Sequence, residues 1–163
     1  DLPPLMFSHD EAKALVAAVR MAQPRLDPAL AAQAESALSR ILAVLPPAAR
    51  AAAESLALYA PPVGPDDATR QRLEVLRVAT ETRHKLRLTY LDAQQRPSQR
   101  TVHPLGCFFW GQVWTLAAWC ETREAFRSFR VDRIQAVELL AERYRDETGR
   151  TLADLLRQVR GAG

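Results

Sequence analysis

Arginine and aromatic side chains interleave most densely at Phe126-Arg127-Ser128-Phe129-Arg130-Val131-Asp132-Arg133-Ile134. If this stretch is a strand, period-two alternation puts Phe126, Ser128 and Arg130 on one side and Arg127, Phe129 and Val131 on the other. Guanidinium forks match phosphate or carboxylate oxygens two at a time, so such a cluster can line a groove for an anion. Asp132 offers a simpler outcome: it can pair with Arg130 or Arg133 and leave a solvated sheet edge. A second dense stretch, Phe108 to Cys120, holds all three tryptophans, Trp110, Trp114 and Trp119. Rings beside arginines are what a nucleic acid needs, because bases stack on rings while cations hold phosphates. The same rings could fill the core of a small β-domain. Both readings stay open at this level.

A thiol and an imidazole raise a third possibility. Gly111-Gln112 reads as a two-residue hairpin turn, which pairs Trp110 with Val113. A regular ladder continued from there sets His103 opposite Cys120, as a thiolate nucleophile and its base would need. Pro104 and Gly106 interrupt that stretch, so a break in register is expected, and a lone buried Cys is ordinarily core. The sequence holds no Gly-rich phosphate loop, no metal-spaced His/Cys/Asp/Glu set and no nucleophile elbow. No catalytic residue, metal or cofactor is expected. His9 and His84 fall at helix ends and read as surface residues.

The elements that must position these groups follow from periodicity. Ser8-His9-Asp10-Glu11 is a capping box before Ala14, Leu15, Ala18 and Val19. That helix should stop near Pro24. Asp27-Pro28 caps a second helix, with Leu30, Ala34, Leu38, Ile41, Leu42 and Leu45 on one stripe. Pro46-Pro47 ends it and opens an alanine-rich third helix to about Leu58. Pro61-Pro62-Val63-Gly64-Pro65 reads as a linker. Asp66 or Asp67 caps a fourth helix with Leu73, Leu76 and Val78-Ala79 on its apolar face. The period then changes from 3.6 to 2. Strands are predicted at Leu86–Tyr90, Arg100–Phe109, Val113–Cys120, Phe126–Val131 and Ala136–Leu140, with a last helix from Thr151 to Arg160. The expected organisation is α+β. Residues 1–63 form a helical segment. Residues 64–163 form a small, strongly bent five-stranded antiparallel barrel of the Sm-like or SH3-like kind, with a C-terminal helix.

Composition agrees with a globular chain: 48 % hydrophobic and 25 % charged over 163 residues. The net charge of +3 is unevenly placed, with 9 basic against 4 acidic groups in residues 83–133. Only Lys13 and Lys85 among the 22 basic residues are lysines. Two cysteines, Cys107 and Cys120, are too few for a disulfide framework, and a reducing cytoplasm is the expected compartment. No stretch is long and apolar enough to be a membrane span, and Asp1-Leu2-Pro3-Pro4 does not read as a secretory signal. Without an initiator Met, the chain is expected to be a fragment or processed product.

Tyr90, Val102-His103-Pro104-Leu105-Gly106, Trp114-Thr115-Leu116 and the Phe126–Ile134 segment resemble, in order and spacing, the WYL domain of bacterial transcriptional regulators. The opening Asp1–Phe7 and Tyr59-Ala60-Pro61-Pro62 resemble the segments that flank the helical linker in short regulators of this group. The name-giving tyrosine is replaced by Thr115, and the family's N-terminal helix-turn-helix is absent from these residues. The resemblance implies an effector-binding and dimerisation region, with promoter DNA reached only through that missing module. It implies a homodimer whose effector is a single-stranded nucleic acid or nucleotide. It implies a ligand face of Tyr90, His103, Trp114, Arg127, Arg130 and Arg133: stacking by Tyr90 and Trp114, phosphate contact by the arginines, a switchable donor from His103. Six such residues cannot share one side of a flat sheet, and Arg127 or Trp114 is expected to leave it first. Two other outcomes are a passive dimerisation module and, less favoured, a Cys–His enzyme.

Overall fold

The computed structural model describes residues 7–58 and 64–161. It divides into two compact units, Asp1–Pro65 and Asp66–Gly163. The proposed linker residues 61–63, and most of the two flanking segments that carried the resemblance, lie outside the described residues.

Among the described residues the first unit holds three α-helices, α1 (His9–Ala22), α2 (Pro28–Ala43) and α3 (Pro47–Leu58), with a 3-10 turn at Gln23–Arg25. Ser8 and Glu11 form the reciprocal capping box, with Ser8 Oγ accepting the Glu11 N–H at 3.1 Å and Glu11 accepting the Ser8 N–H at 2.9 Å. Asp27 caps α2 by accepting the Leu30 N–H at 2.9 Å. Ala12, Val16, Leu38, Leu45 and Ala53 make the core of this unit.

The second unit opens with α4 (Asp67–Thr82), capped by Asp66, and continues into strands β1 (His84–Leu91), β2 (Pro97–Trp110), β3 (Val113–Cys120), β4 (Ala125–Arg130) and β5 (Ile134–Arg143), then α5 (Leu152–Gly161). The sheet is antiparallel with order β4-β3-β2-β1-β5. Pairing among the described residues ends at β4 on one side and β5 on the other, so closure into a barrel is not part of the observed ladder. A single 3-10 turn, Val131–Arg133, connects those two strands. Leu73, Leu76 and Ala79 of α4 pack on Leu86, Leu88, Val102, Leu116, Ala118, Cys120, Phe129, Val131 and Ile134.

Two local features set the register. Gly111 and Gln112 at φ 51° and 73° make the tight β2–β3 turn, a left-handed geometry that matches the twist of the flanking strands. Further along, Pro104 pairs with Ala118 while Gly106 pairs with Ala117, leaving Leu105 as the extra residue of a bulge. The bulge shifts every later pair by one. Cys120 therefore faces Val102, and His103 faces Trp119. The Cys–His juxtaposition of a regular ladder does not form.

Candidate functional site

Phe129 of β4 is 1 % exposed and stands at the centre of the candidate site. The Tyr90 ring meets it edge-on, 5.1 Å between centroids at 80°. The Tyr90 hydroxyl accepts the backbone N–H of Arg130 at 3.0 Å, so one side chain from β1 holds both the ring and the strand end. The Arg127 guanidinium lies 5.8 Å from the centroid of the Phe129 ring. Trp114 packs against the same core and sets its ring 5.3 Å from that of Phe109.

Alternation explains this gathering. Leu116 pairs with Phe129 and Ala118 with Arg127, and both partners are fully buried, so Arg127, Phe129 and Trp114 share the core-facing side of the sheet with Tyr90. Arg130 pairs with Thr115 and belongs to the opposite side. Its Nε and Nη2 reach Asp132 at 3.0 and 2.6 Å, a two-point fork. The bond from Arg130, with help from the charge of Arg133, holds the Asp132 carboxyl below the usual carboxylate range despite partial burial. Arg133 sits in the 3-10 turn, half-buried. Among the described residues, the side chains of Arg127 and Arg133 make no hydrogen bond or ion pair.

His103 goes elsewhere. It sits 7 % exposed, with Nε2 bonded to Glu121 Oε2 at 2.8 Å. Its ring stacks on Tyr144 at 4.8 Å and 12°. The expected order of departure is therefore corrected: Arg127 and Trp114 stay with Tyr90, while His103 and the Arg130 side chain leave. For His103 the reason is the bulge at Leu105, which a count of strand positions does not contain; for Arg130 it is the period-two alternation of β4 itself.

Residues 71–139 match the family described as WYL domain. This segment is a WYL domain. It begins inside α4, ends inside β5, and contains all six candidate residues. The chain is also similar in structure to Proteasome accessory factor B/C (PafBC) of Arthrobacter aurescens, with a TM-score of 0.47 and 19 % identity. That match covers 86 % of this chain and 22 % of that one, so the present chain spans about a fifth of its length.

Outside the WYL segment, sequence reading missed Tyr144, which caps the far end of the domain. Its hydroxyl donates to the Pro104 carbonyl, and burial pushes the phenol up to about 12. Glu121 was missed too. It accepts from Lys85 Nζ at 2.7 Å as well as meeting His103. No spacing signal joins these residues, because the β1, β2 and β5 ends meet only once the sheet has formed. Burial raises the Glu121 carboxyl, but the bonds from Lys85 and His103 outweigh it and hold it below the ordinary range. A depressed carboxyl stabilises the fold above its unfolded value of about 4.3, and that contribution is lost as pH falls through the folded value. The urea midpoint of Glu121→Gln is therefore expected to fall less steeply than that of the wild type below about pH 4.3. Parallel acid limbs would show that the bonds of Glu121 to Lys85 and His103 add nothing.

Cys120 is fully buried and Cys107 only partly so. Alkylation of the native protein at neutral pH is expected at Cys107 first, with Cys120 reacting only when the sheet opens. Rapid native-state labelling of Cys120 would reopen the nucleophile reading. No group of three or more potential metal ligands occurs among the described residues. No helix among them is long and apolar enough to cross a membrane.

Proposed function

We propose that this chain is the effector-binding and dimerisation region of a bacterial transcriptional regulator, and that its effector is a single-stranded nucleic acid or nucleotide-like anion. The WYL domain supports the regulatory part of this reading. The observation that carries the ligand is the collection of Tyr90, Trp114, Arg127 and Arg133 around Phe129 and the adjoining turn. Tyr90 and Arg127 both rest on the Phe129 ring, Trp114 packs against the same core, and no carboxylate holds Arg127 or Arg133 by a hydrogen bond among the described residues. Tyr90 and Trp114 would contact bases and Arg127 and Arg133 would contact phosphate, and because β4 is an edge strand a ligand that crosses this edge would also reach Arg130, on the opposite side of the sheet, when it leaves Asp132. His103 has no part in this face. Such a regulator would act in the cytoplasm and reach promoter DNA through a separate helix-turn-helix. The helical unit leaves Met21, Leu30 and Val44 exposed, at 58, 40 and 77 %, and the pairing of two copies would fall to this unit.

Anisotropy of a labelled single-stranded oligonucleotide tests the ligand. Saturable binding is expected, weakening with salt as phosphate counterions are released. Arg127→Ala and Arg133→Ala should each weaken it and flatten the salt slope by about 0.7 for each phosphate no longer neutralised. Absence of binding at low ionic strength by oligonucleotide and free nucleotide alike would leave a passive dimerisation module. Light scattering tests the dimer, and a monomer at micromolar concentration would remove that half of the proposal.

A further inference from the structure

A cleft of about 440 Å³ opens at the other end of the domain, between the end of α4, the β2 bulge and the start of α5. That volume falls within the roughly 300–1,000 Å³ typical of small-molecule sites. Its apolar lining comes from Pro104, Leu105, Tyr144 and Leu152, and Arg83 and Asp146 face each other in its wall. Tyr144 is held in place on both sides, by the stacked His103 ring and by its bond to the Pro104 carbonyl.

Arg83 is the unusual member. Its φ of 54° is the left-handed conformation at a helix C-cap, where glycine is the common residue. Its carbonyl accepts the Tyr144 N–H at 3.0 Å, a bond that any residue could make. The backbone therefore gives no reason for an arginine side chain here. That side chain presents its Nε and Nη2 to Asp146 at 3.1 and 3.0 Å, two parallel bonds to one carboxylate. Both partners are more than half exposed, at 53 and 59 %, so the pair is weakly held and readily exchanged. Glu81, the other acid in the wall, already bonds Arg77 at 3.2 Å.

We propose that this cleft binds a small apolar carboxylate. The ligand's carboxylate takes the place of Asp146 on the Arg83 fork, and its hydrocarbon body lies over Leu105, Tyr144 and Leu152. The site is separate from the nucleic-acid face. Arg83 precedes β1 and Tyr90 lies near the end of that strand, about 23 Å away at ~3.3 Å per residue.

The test is calorimetric titration of the full chain with benzoate and with benzamide, which has nearly the same shape and no charge. Benzoate should bind saturably in the millimolar range, with amide shifts in NMR spectra at Leu105, Tyr144 and Leu152, and benzamide should not. Arg83→Gly, which suits the left-handed backbone and so keeps the fold, should weaken benzoate by about tenfold or more. Asp146→Asn should tighten it several-fold by removing the internal competitor. No benzoate binding at tens of millimolar, equal binding of benzamide, or affinity unchanged in either variant would overturn the proposal.

Discussion

Phe129→Ala is expected to lower the unfolding free energy of the sheet unit by about 3–5 kcal/mol, the range for removing a buried phenylalanine. Phe129 is 1 % exposed and packs in the cluster that includes Leu116, Val131 and Ile134. Its ring is also the surface on which Tyr90 and Arg127 rest. Truncation thus leaves a cavity and loosens two candidate ligand residues together. The two units need separate readouts, since a chain with two units need not unfold in one step. Trp110, Trp114 and Trp119 all lie in β2 and β3, so tryptophan fluorescence reports the sheet, while far-ultraviolet dichroism is weighted toward the helices. The fluorescence transition in urea should move strongly and the helical signal less. A loss under about 1 kcal/mol, the level of an ordinary surface change, would mean that Phe129 is not the keystone of the site. Tyr90→Phe isolates the hydroxyl. It keeps the edge-on ring packing and removes only the bond to the Arg130 N–H, so a cost of about 0.5–1.5 kcal/mol is expected in the same assay.

What could be seen in the sequence, and what could not, divides along a physical line. Ser8, Asp27 and Asp66 announced helix starts because capping is a bond between neighbours in the chain. Leu86, Leu88 and Tyr90 announced a strand because burial on one side of a sheet imposes period two. The Phe126–Ile134 segment announced arginines on both sides of a strand for the same reason. The β5 strand proved longer than the expected Ala136–Leu140, running Ile134–Arg143, because its last three residues, Ala141, Glu142 and Arg143, are all exposed and carry no alternation of burial. Pro104 and Gly106 signalled a break without saying where the extra residue would fall. That choice decided the whereabouts of His103, whose partners Glu121 and Tyr144 lie 18 or more residues away in the chain. Long-range register removes His103 from the six-residue face expected from the sequence, while the Arg130 side chain leaves by an alternation already legible in its own segment.

Asp132→Asn is expected to tighten oligonucleotide binding by about tenfold at low salt, or about 1.4 kcal/mol. Asp132 was one of two ways to read its own segment: a partner for an arginine, or a bystander to a cationic groove. The geometry makes it the partner of Arg130, whose Nε and Nη2 are both spent on it. A phosphate can use that fork only by displacing the carboxylate, so Asp132 competes with the ligand at the same two donors. Removing its charge frees the guanidinium and also removes a repulsion for the incoming phosphate. If Arg130 then neutralises one more phosphate, the salt slope should steepen by about 0.7. Acid should not mimic the substitution in the working range. Arg130 holds the Asp132 carboxyl below its ordinary value of about 3.9, so it stays ionised between pH 5 and 8 and contributes no pH dependence there. Arg130→Ala supplies the complementary result: loss of wild-type binding would show that the fork does exchange partners. If wild-type protein binds while both variants bind equally well, Arg130 and Asp132 serve only to fix the end of β4, and the phosphate rests on Arg127 and Arg133 alone.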